Sequence, residues 1–187
     1  MYFLETEHLK PTATVIDFGC GDIKHRLGAI LIPFLAKAAY CGVDVRQSVF
    51  DENIEFLRSQ PDLQKKTPRF VHVKNLELLS LATYYDVICA FSVVIHMTDP
   101  ILAQFMQFAK NHLMPKGVLY MNVNIGPAKT RCKWKEFPVV ERPLNFYVAT
   151  AQKHGFTVQD LGTLASYGLS CDPASDRQHM LKLTQNL

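Results

Sequence analysis

The chain has 187 residues and a formal net charge of +3, with 48% hydrophobic and 20% charged residues. This length fits one domain with a full hydrophobic core, and so mild a charge does not by itself indicate nucleic-acid binding. The uncharged stretch 27–36 contains Pro33 and is too short to cross a membrane. Five cysteines and a start without a signal-peptide pattern predict reduced thiols in a cytoplasmic protein.

The first predicted strand, within residues 14–18, leads into a turn with two glycines. Val15, Ile16 and Phe18 are apolar and favour a buried strand, while Gly19-Cys20-Gly21 allows a ligand to approach the main chain. Asp17 lies at the carboxyl end of this strand, where open α/β sheets bind ligands. The dinucleotide-binding fingerprint would require a glycine at position 24, which is Lys24.

The run Asp17-Phe18-Gly19-Cys20-Gly21 resembles the first motif of the class I S-adenosylmethionine-dependent methyltransferases. Ile23 stands where that family often has a third glycine. The resemblance implies that backbone groups of Gly19, Cys20 and Gly21 face the methionine end of the cofactor. It also implies that Asp17 orients the cofactor's ammonium group.

An acidic residue ends the next predicted strand, 39–45, which follows a helix predicted over 24–39. Asp44 occupies the position that binds ribose hydroxyls in Rossmann-type sites, and we assign Val45 beside it to the same cofactor site. The alternative for Asp44 is a helix cap. Ser48, with Asp51 three residues later, already predicts that cap.

A helix over 49–58 and a third strand over 70–73 come next. The family resemblance places the adenine contact just beyond this strand, where Asn75 and Leu76 are the best matches. The alternative for Asn75 is a turn residue.

The fourth strand, 86–91, and the residues after it resemble the corresponding region of small-molecule methyltransferases. Phe91 and Ser92 would line the wall near the sulfonium, where an aromatic face favours a cation. No Asn-Pro-Pro-Tyr follows, which is the signature of enzymes that methylate exocyclic amines of nucleobases. Nor does an acidic residue follow to begin the magnesium site of catechol-type enzymes, so the resemblance implies a metal-free reaction. His96 is the candidate base for a hydroxyl acceptor, because its ordinary pKa lies near neutrality. The alternative is a histidine that only packs.

The second half of the chain predicts a helix capped by Asp99, a strand over 118–125 and then a basic loop over 126–138. This loop holds the only tryptophan, Trp134, which would close over the acceptor; the alternative is a solvated surface loop. A helix over 143–153 follows. The remaining predictions are strands over 156–161 and 179–184 and an irregular stretch between them.

The resemblance covers nearly the whole chain and implies a Rossmann-like three-layer α/β/α sandwich with a mostly parallel seven-stranded sheet and an antiparallel last strand. One domain would span 1–187. Residues 1–12, with a short helix over 3–9, are shorter than the family's usual cover of the active site, which indicates an open pocket or a fragment.

The implied activity is methyl transfer from S-adenosylmethionine to an oxygen or nitrogen of a small-molecule acceptor. Two alternatives stay open: a methyltransferase acting on RNA or protein, supported only by the basic loop, and a non-catalytic relative. Neither nucleic acid nor a membrane is expected as a partner. The acceptor's identity and the oligomeric state are left open by the sequence.

Overall fold

A computed structural model describes residues 6–168 and 177–186, with only the backbone at positions 131 and 132. Part of the helix predicted over 3–9, and residues 169–176 of the irregular stretch before the last strand, lie outside the described residues. Among the cysteines that are described with their side chains, Cys20, Cys41 and Cys89 are buried free thiols. No helix in these ranges is both long enough and apolar enough to cross a membrane.

A seven-stranded sheet forms the centre of the fold. Its strands are β1 Val15–Phe18, β2 Tyr40–Asp44, β3 Arg69–His72, β4 Tyr85–Ala90, β5 Leu113–Asn124, β8 Phe156–Thr163 and β9 Gln178–Gln185. They lie in the order β3-β2-β1-β4-β5-β9-β8, and β9 runs antiparallel to both of its neighbours while the other pairs among β1 to β5 are parallel. The predicted α/β fold is therefore confirmed.

Helices cover both faces of the sheet. They are α1 Gly28–Phe34, α2 Gln47–Arg58, α3 Pro61–Gln64, α4 Asp99–His112 and α5 Leu144–Lys153, with 3₁₀ turns at Val94–His96 and Leu164–Tyr167. Buried apolar side chains of α4 and α5 belong to one apolar cluster, and Leu31 and Ile32 of α1 and Leu57 of α2 belong to a second. The sheet lies between these clusters, which gives the three predicted layers.

The first helix is much shorter than the predicted 24–39. Residues ahead of Gly28 form turns, and α1 ends at Phe34, directly after Pro33. Proline lacks an N–H group and crowds the preceding turn, so Pro33 weakens the last turn of α1, and Leu35 after it is already extended, with ψ of 158°.

Two predicted helix caps are wrong. Ser48 lies inside the first turn of α2, whose cap position is Arg46, and no side chain caps that helix. Asp99 is the first residue of α4 and follows its cap position, Thr98. The Asp99 carboxylate instead accepts hydrogen bonds from the guanidinium of Arg142 at 2.8 and 3.0 Å.

The predicted loop over 126–138 is a β-hairpin instead. Strands β6 Lys129–Trp134 and β7 Phe137–Glu141 form a separate two-stranded antiparallel sheet. The turn between them contains Lys135 in the left-handed region, with φ of 53°. Neither glycine nor asparagine marks this turn, and lysines interrupt the apolar alternation, so the usual sequence signals of a hairpin are missing.

Candidate active site

A cavity of about 1240 Å³ opens at the carboxyl ends of β1, β2, β4 and β5. One end is lined by the glycine turn after β1 and by the end of β2, and we call it the cofactor end. The other end is lined by the loop after β4, by the β6–β7 hairpin and by β9, and we call it the acceptor end. The parallel register of β1 with β2 and β4 brings these loops to one edge of the sheet.

The glycine turn takes a backbone shape that only glycine adopts easily. Gly19 has φ of +76° and Gly21 has φ of +56°. A Cβ atom at Gly19 would lie 2.2 Å from Cγ2 of Val93, so the turn and the loop after β4 are in direct contact. The N–H groups of Gly19 and Cys20 both donate to the Val43 carbonyl, at 2.6 and 3.1 Å. These two donors are therefore already used within the sheet edge.

Asn53 of α2 holds the glycine turn in place, and the sequence analysis missed it. Its Oδ1 accepts from the Ile23 N–H and its Nδ2 donates to the Gly21 carbonyl, both at 3.0 Å. The side chain is fully buried, on the same helix face as Val49 and Leu57. The sequence could have indicated this role, because Asn53 lies among the apolar residues of one helix face and a buried amide requires hydrogen-bond partners.

Asp17 is a buried carboxyl group at the cofactor end, only 3% exposed. Its Oδ2 accepts a hydrogen bond of 2.8 Å from the Tyr40 hydroxyl. Burial raises the pKa of Asp17 to about 7, against the lowering effect of Tyr40, and the negative charge of Asp44 adds to the rise. Asp17 therefore titrates near neutrality, and a cation beside it would favour its charged form.

Asp44 is also buried, at 4% exposed, but its carboxylate is fully hydrogen-bonded. Oδ1 accepts from the N–H and Nε of Arg46 at 3.0 and 3.1 Å. Oδ2 accepts from the Gly21 N–H and from Nη2 of Arg46, both at 3.0 Å. Burial alone would raise the pKa of Asp44, but the bonds from Arg46 and Gly21 bring it below its ordinary value. Arg46 is a second residue that the sequence analysis missed.

The acceptor end begins at Ser92, which has φ of +57° although it is not glycine. Its N–H donates to Oδ1 of Asn122, and Nδ2 of Asn122 donates to Oε1 of Gln178 at 2.8 Å. Both amide residues line the cavity. Nothing in the sequence marks them as neighbours, because β5 and β9 are adjacent only in the folded sheet.

His96 lies in the wall of the acceptor end, against the hairpin. Its Nδ1 lies 2.8 Å from the Pro138 carbonyl oxygen. Because a carbonyl only accepts, Nδ1 carries a proton, and in the neutral form of the ring Nε2 is the nitrogen with the lone pair. The imidazole stacks on the Trp134 indole with 5.4 Å between ring centroids, and Phe137 stacks on the same indole at 6.2 Å. The Lys135 ammonium lies 5.0 Å from the indole centroid.

The sequence profile described as a methyltransferase domain matches residues 2–160. The chain belongs to this family. Among the curated proteins, no sequence matches this one.

Several solved methyltransferases share the fold. The glycopeptide N-methyltransferase MtfA is 12% identical, with a TM-score of 0.75 over 98% of this chain and 87% of that one. The 1,6-didemethyltoxoflavin-N1-methyltransferase of Burkholderia thailandensis is 15% identical, with a TM-score of 0.73 over 99% and 76%. The CcbJ methyltransferase of Streptomyces caelestis is 14% identical, with a TM-score of 0.74 over 98% and 88%. At these identities the likeness shows the fold alone.

Most of the residues that the sequence assigned to this methyltransferase's site lie together in the cavity. Its lining includes the predicted residues Asp17, Gly19, Cys20, Gly21, Asp44, Val45, Phe91, Ser92, His96 and Trp134. Burial raises the pKa of the Cys20 thiol well above its ordinary value, so this thiol stays neutral.

Asn75 and Leu76 lie elsewhere among the described residues. The Asn75 side chain accepts from the Glu77 N–H at 2.9 Å, which is the alternative turn role. Leu76 packs against the apolar cluster, and Val73 lines the cavity in this region instead. In the ranges 6–168 and 177–186, no group of three or more His, Cys, Asp or Glu side chains is placed to hold a metal ion.

Proposed function

We propose that this methyltransferase transfers the methyl group of S-adenosylmethionine to an oxygen or nitrogen of a small-molecule acceptor, without a metal ion. The observation that carries the proposal is one cavity with two buried carboxyl groups at one end and an aromatic wall at the other. MtfA, of the same fold, was solved with S-adenosylmethionine, and the toxoflavin-type enzyme with its small-molecule ligand and S-adenosylhomocysteine.

The residues of the cofactor end fit such a cofactor. Asp17 would hold its ammonium group, because a cation offsets the cost of the buried negative charge. Asp44 would accept from its ribose hydroxyls after Arg46 gives up at least one of its hydrogen bonds. The bound cofactor supplies an activated methyl group on a sulfonium, so the protein needs no nucleophile of its own.

The residues of the acceptor end would orient the acceptor and move its proton. For a hydroxyl acceptor, His96 takes the proton at Nε2 while Nδ1 keeps its bond to Pro138. The rings of Trp134 and Phe137 exclude water from one side of the acceptor. Alignment of donor and acceptor in such a site contributes about 7–11 kcal/mol to lowering the barrier.

Cofactor binding and turnover are measured separately. Calorimetry is expected to show binding of S-adenosylmethionine and S-adenosylhomocysteine and much weaker binding of NADH. A panel of hydroxyl and amine metabolites is expected to support release of S-adenosylhomocysteine, whereas bulk RNA and denatured protein are not. Turnover on RNA or protein alone would contradict the small-molecule acceptor, and failure to bind S-adenosylmethionine would contradict the activity itself.

A further inference from the structure

A chain of hydrogen bonds joins three elements across the acceptor end. It starts at the backbone N–H of Ser92, after β4, and passes through the side-chain amide of Asn122 on β5. It ends at the side-chain amide of Gln178 on β9. Asn122 is only 1% exposed, so water does not compete for these bonds.

The backbone group at the start determines the direction of every bond in this chain. A backbone N–H only donates, so the oxygen of the Asn122 amide faces Ser92 and its NH₂ group faces Gln178. The Gln178 oxygen therefore accepts, and its own NH₂ group is left over. Within the described part of the chain, Nε2 of Gln178 has no hydrogen-bond partner, and Gln178 lines the cavity. The fold thus presents a donor to the acceptor end.

The rest of the acceptor end favours a flat, uncharged or anionic ligand. Trp134 and Phe137 are stacked with their planes 23° apart, and Trp134 is 42% exposed. The acidic side chains in the described lining of the cavity all belong to the cofactor end or to its edge: Asp17, Asp22, Asp44 and Glu52. Lys135 adds positive charge beside the indole.

We propose that Gln178 determines acceptor specificity by donating a hydrogen bond from Nε2 to a carbonyl oxygen or unprotonated ring nitrogen of a planar aromatic acceptor. The acceptor lies against Trp134, and Asn122 acts as a positioning residue that keeps the Gln178 amide in this orientation. This inference rests on the proposed function and narrows its acceptor class.

The test uses small aromatic probes and the protein saturated with S-adenosylhomocysteine. Because Trp134 is the only tryptophan, its indole N–H gives a single resonance in an ¹⁵N-labelled spectrum, and its shift reports binding at this end. 1-Indanone, which carries a carbonyl group, is expected to bind about fivefold more tightly than indane, which lacks it. This factor corresponds to the net contribution of one neutral hydrogen bond to the binding free energy. The side-chain amide signal of Gln178 should shift with 1-indanone only.

Two variants separate the proposed role from simple packing. Gln178→Leu removes the donor and should abolish the preference for 1-indanone, while Gln159→Leu, an exposed glutamine on the neighbouring strand β8, should keep it. Asn122→Asp accepts from both Ser92 and Gln178, so the Gln178 amide should turn its oxygen to the cavity. That variant should then favour indole, which carries an N–H donor, over 1-indanone.

Retention of the preference in Gln178→Leu would overturn the inference, as would equal binding of 1-indanone and indane to the wild-type protein. Gln178→Leu decides the question even if Asn122→Asp does not fold, because Gln178 is only partly buried. The affinity for S-adenosylhomocysteine is measured separately in each protein. Normal affinity without probe discrimination would contradict the role of Gln178 and leave the proposed function intact.

Discussion

The two ends of the cavity are built in different ways. At the cofactor end, Asp17 and Asp44 are 3% and 4% exposed, and the chain itself supplies their hydrogen-bond partners. At the acceptor end, the aromatic wall belongs to a hairpin outside the main sheet, and Trp134 is 42% exposed.

This difference means that the two ends depend on the central sheet to different degrees. The cofactor end is part of the central sheet, so its geometry follows from the strand register and changes little unless the sheet changes. At the acceptor end, Asn122 and Gln178 belong to that sheet, but the hairpin with Trp134 and Phe137 lies outside it, so different side chains can occupy the hairpin without loss of the central sheet. We expect variants of the two ends to affect different steps of the reaction.

The largest expected effect is at His96, for a hydroxyl acceptor. His96→Asn retains a donor near the Pro138 carbonyl but lacks the basic Nε2. Turnover should fall by about a hundredfold or more, as expected for loss of a general base. Affinity for S-adenosylhomocysteine should not change. A variant with lower thermal stability and an unchanged rate per folded molecule would show that His96 only packs.

At the cofactor end, Asp44→Ala should weaken S-adenosylhomocysteine binding by about 1.5–3 kcal/mol, the range for charge-assisted hydrogen bonds. This is about a ten- to hundredfold loss or slightly more, measured by calorimetry. Asp62→Asn is the matched control, because Asp62 forms an exposed ion pair with Lys65. Unchanged affinity in Asp44→Ala would contradict the proposal that Asp44 binds the ribose hydroxyls.

The pH dependence of binding reports on Asp17. Its pKa of about 7 means that raising the pH converts it to the carboxylate that holds an ammonium group. Affinity for S-adenosylhomocysteine should therefore rise about tenfold between about pH 6 and pH 8, and Asp17→Asn should remove this dependence. An affinity that is constant or falls over this range would contradict the assignment.

The same titration affects stability without the cofactor. Since the pKa of Asp17 is about 7 in the folded state and 3.8 for an exposed aspartate, the folded state holds the proton over a pH range in which the unfolded state loses it. The free energy of unfolding should therefore decrease as the pH rises from about 4 to about 7. Urea denaturation would measure the free energy of unfolding of the wild type and of Asp17→Asn at several pH values. This free energy should fall more steeply with pH in the wild type than in Asp17→Asn.

A smaller effect is expected at the acceptor end. Trp134→Ala should raise the KM for the acceptor by about three- to tenfold, the range for one lost aromatic contact, and spare cofactor affinity. For an anionic acceptor, Lys133→Glu with Lys135→Glu should also raise KM, and this increase should shrink at high salt, because both lysines are exposed and salt screens exposed charges. Unchanged acceptor kinetics in both variants would show that the hairpin is only a solvated surface.

The smallest effect is expected at Asn75. Its side chain serves a turn and does not line the cavity among the described residues, so Asn75→Ala should change S-adenosylhomocysteine affinity by less than about twofold. A loss above tenfold would instead support the adenine contact that the family resemblance implies. It would also show that the cofactor end changes shape when it is occupied.

The sequence brought most residues of the cofactor end together because they are close along the chain. Asp17 and the two glycines belong to one strand and its turn, and Asp44 ends the next strand, so strand periodicity and glycine spacing were sufficient. Arg46 was missed because an arginine after a strand is usually solvated. Its ion pair with Asp44 is visible only once both side chains are placed.

The acceptor end could not be predicted in the same way. Asn122 and Gln178 are 56 positions apart, and their contact depends on the antiparallel pairing of β5 with β9. The hairpin lacks the glycine or asparagine that usually marks such a turn, and Lys129 and Lys133 interrupt the apolar pattern of β6. Trp134 and His96 were each selected correctly as cavity residues, but nothing in the sequence indicated that their rings stack.

The close fit of Gly19 and Val93 has a consequence for engineering. The Val93 methyl group fills the space where any larger residue at position 19 would place its Cβ, so the two positions cannot be varied independently. A library that seeks new acceptors by randomising the loop after β4 would deform the cofactor turn whenever it enlarged position 93. Diversity placed in the hairpin instead would leave that turn intact, and so would leave the methyl donor's binding site unchanged while the choice of acceptor is altered.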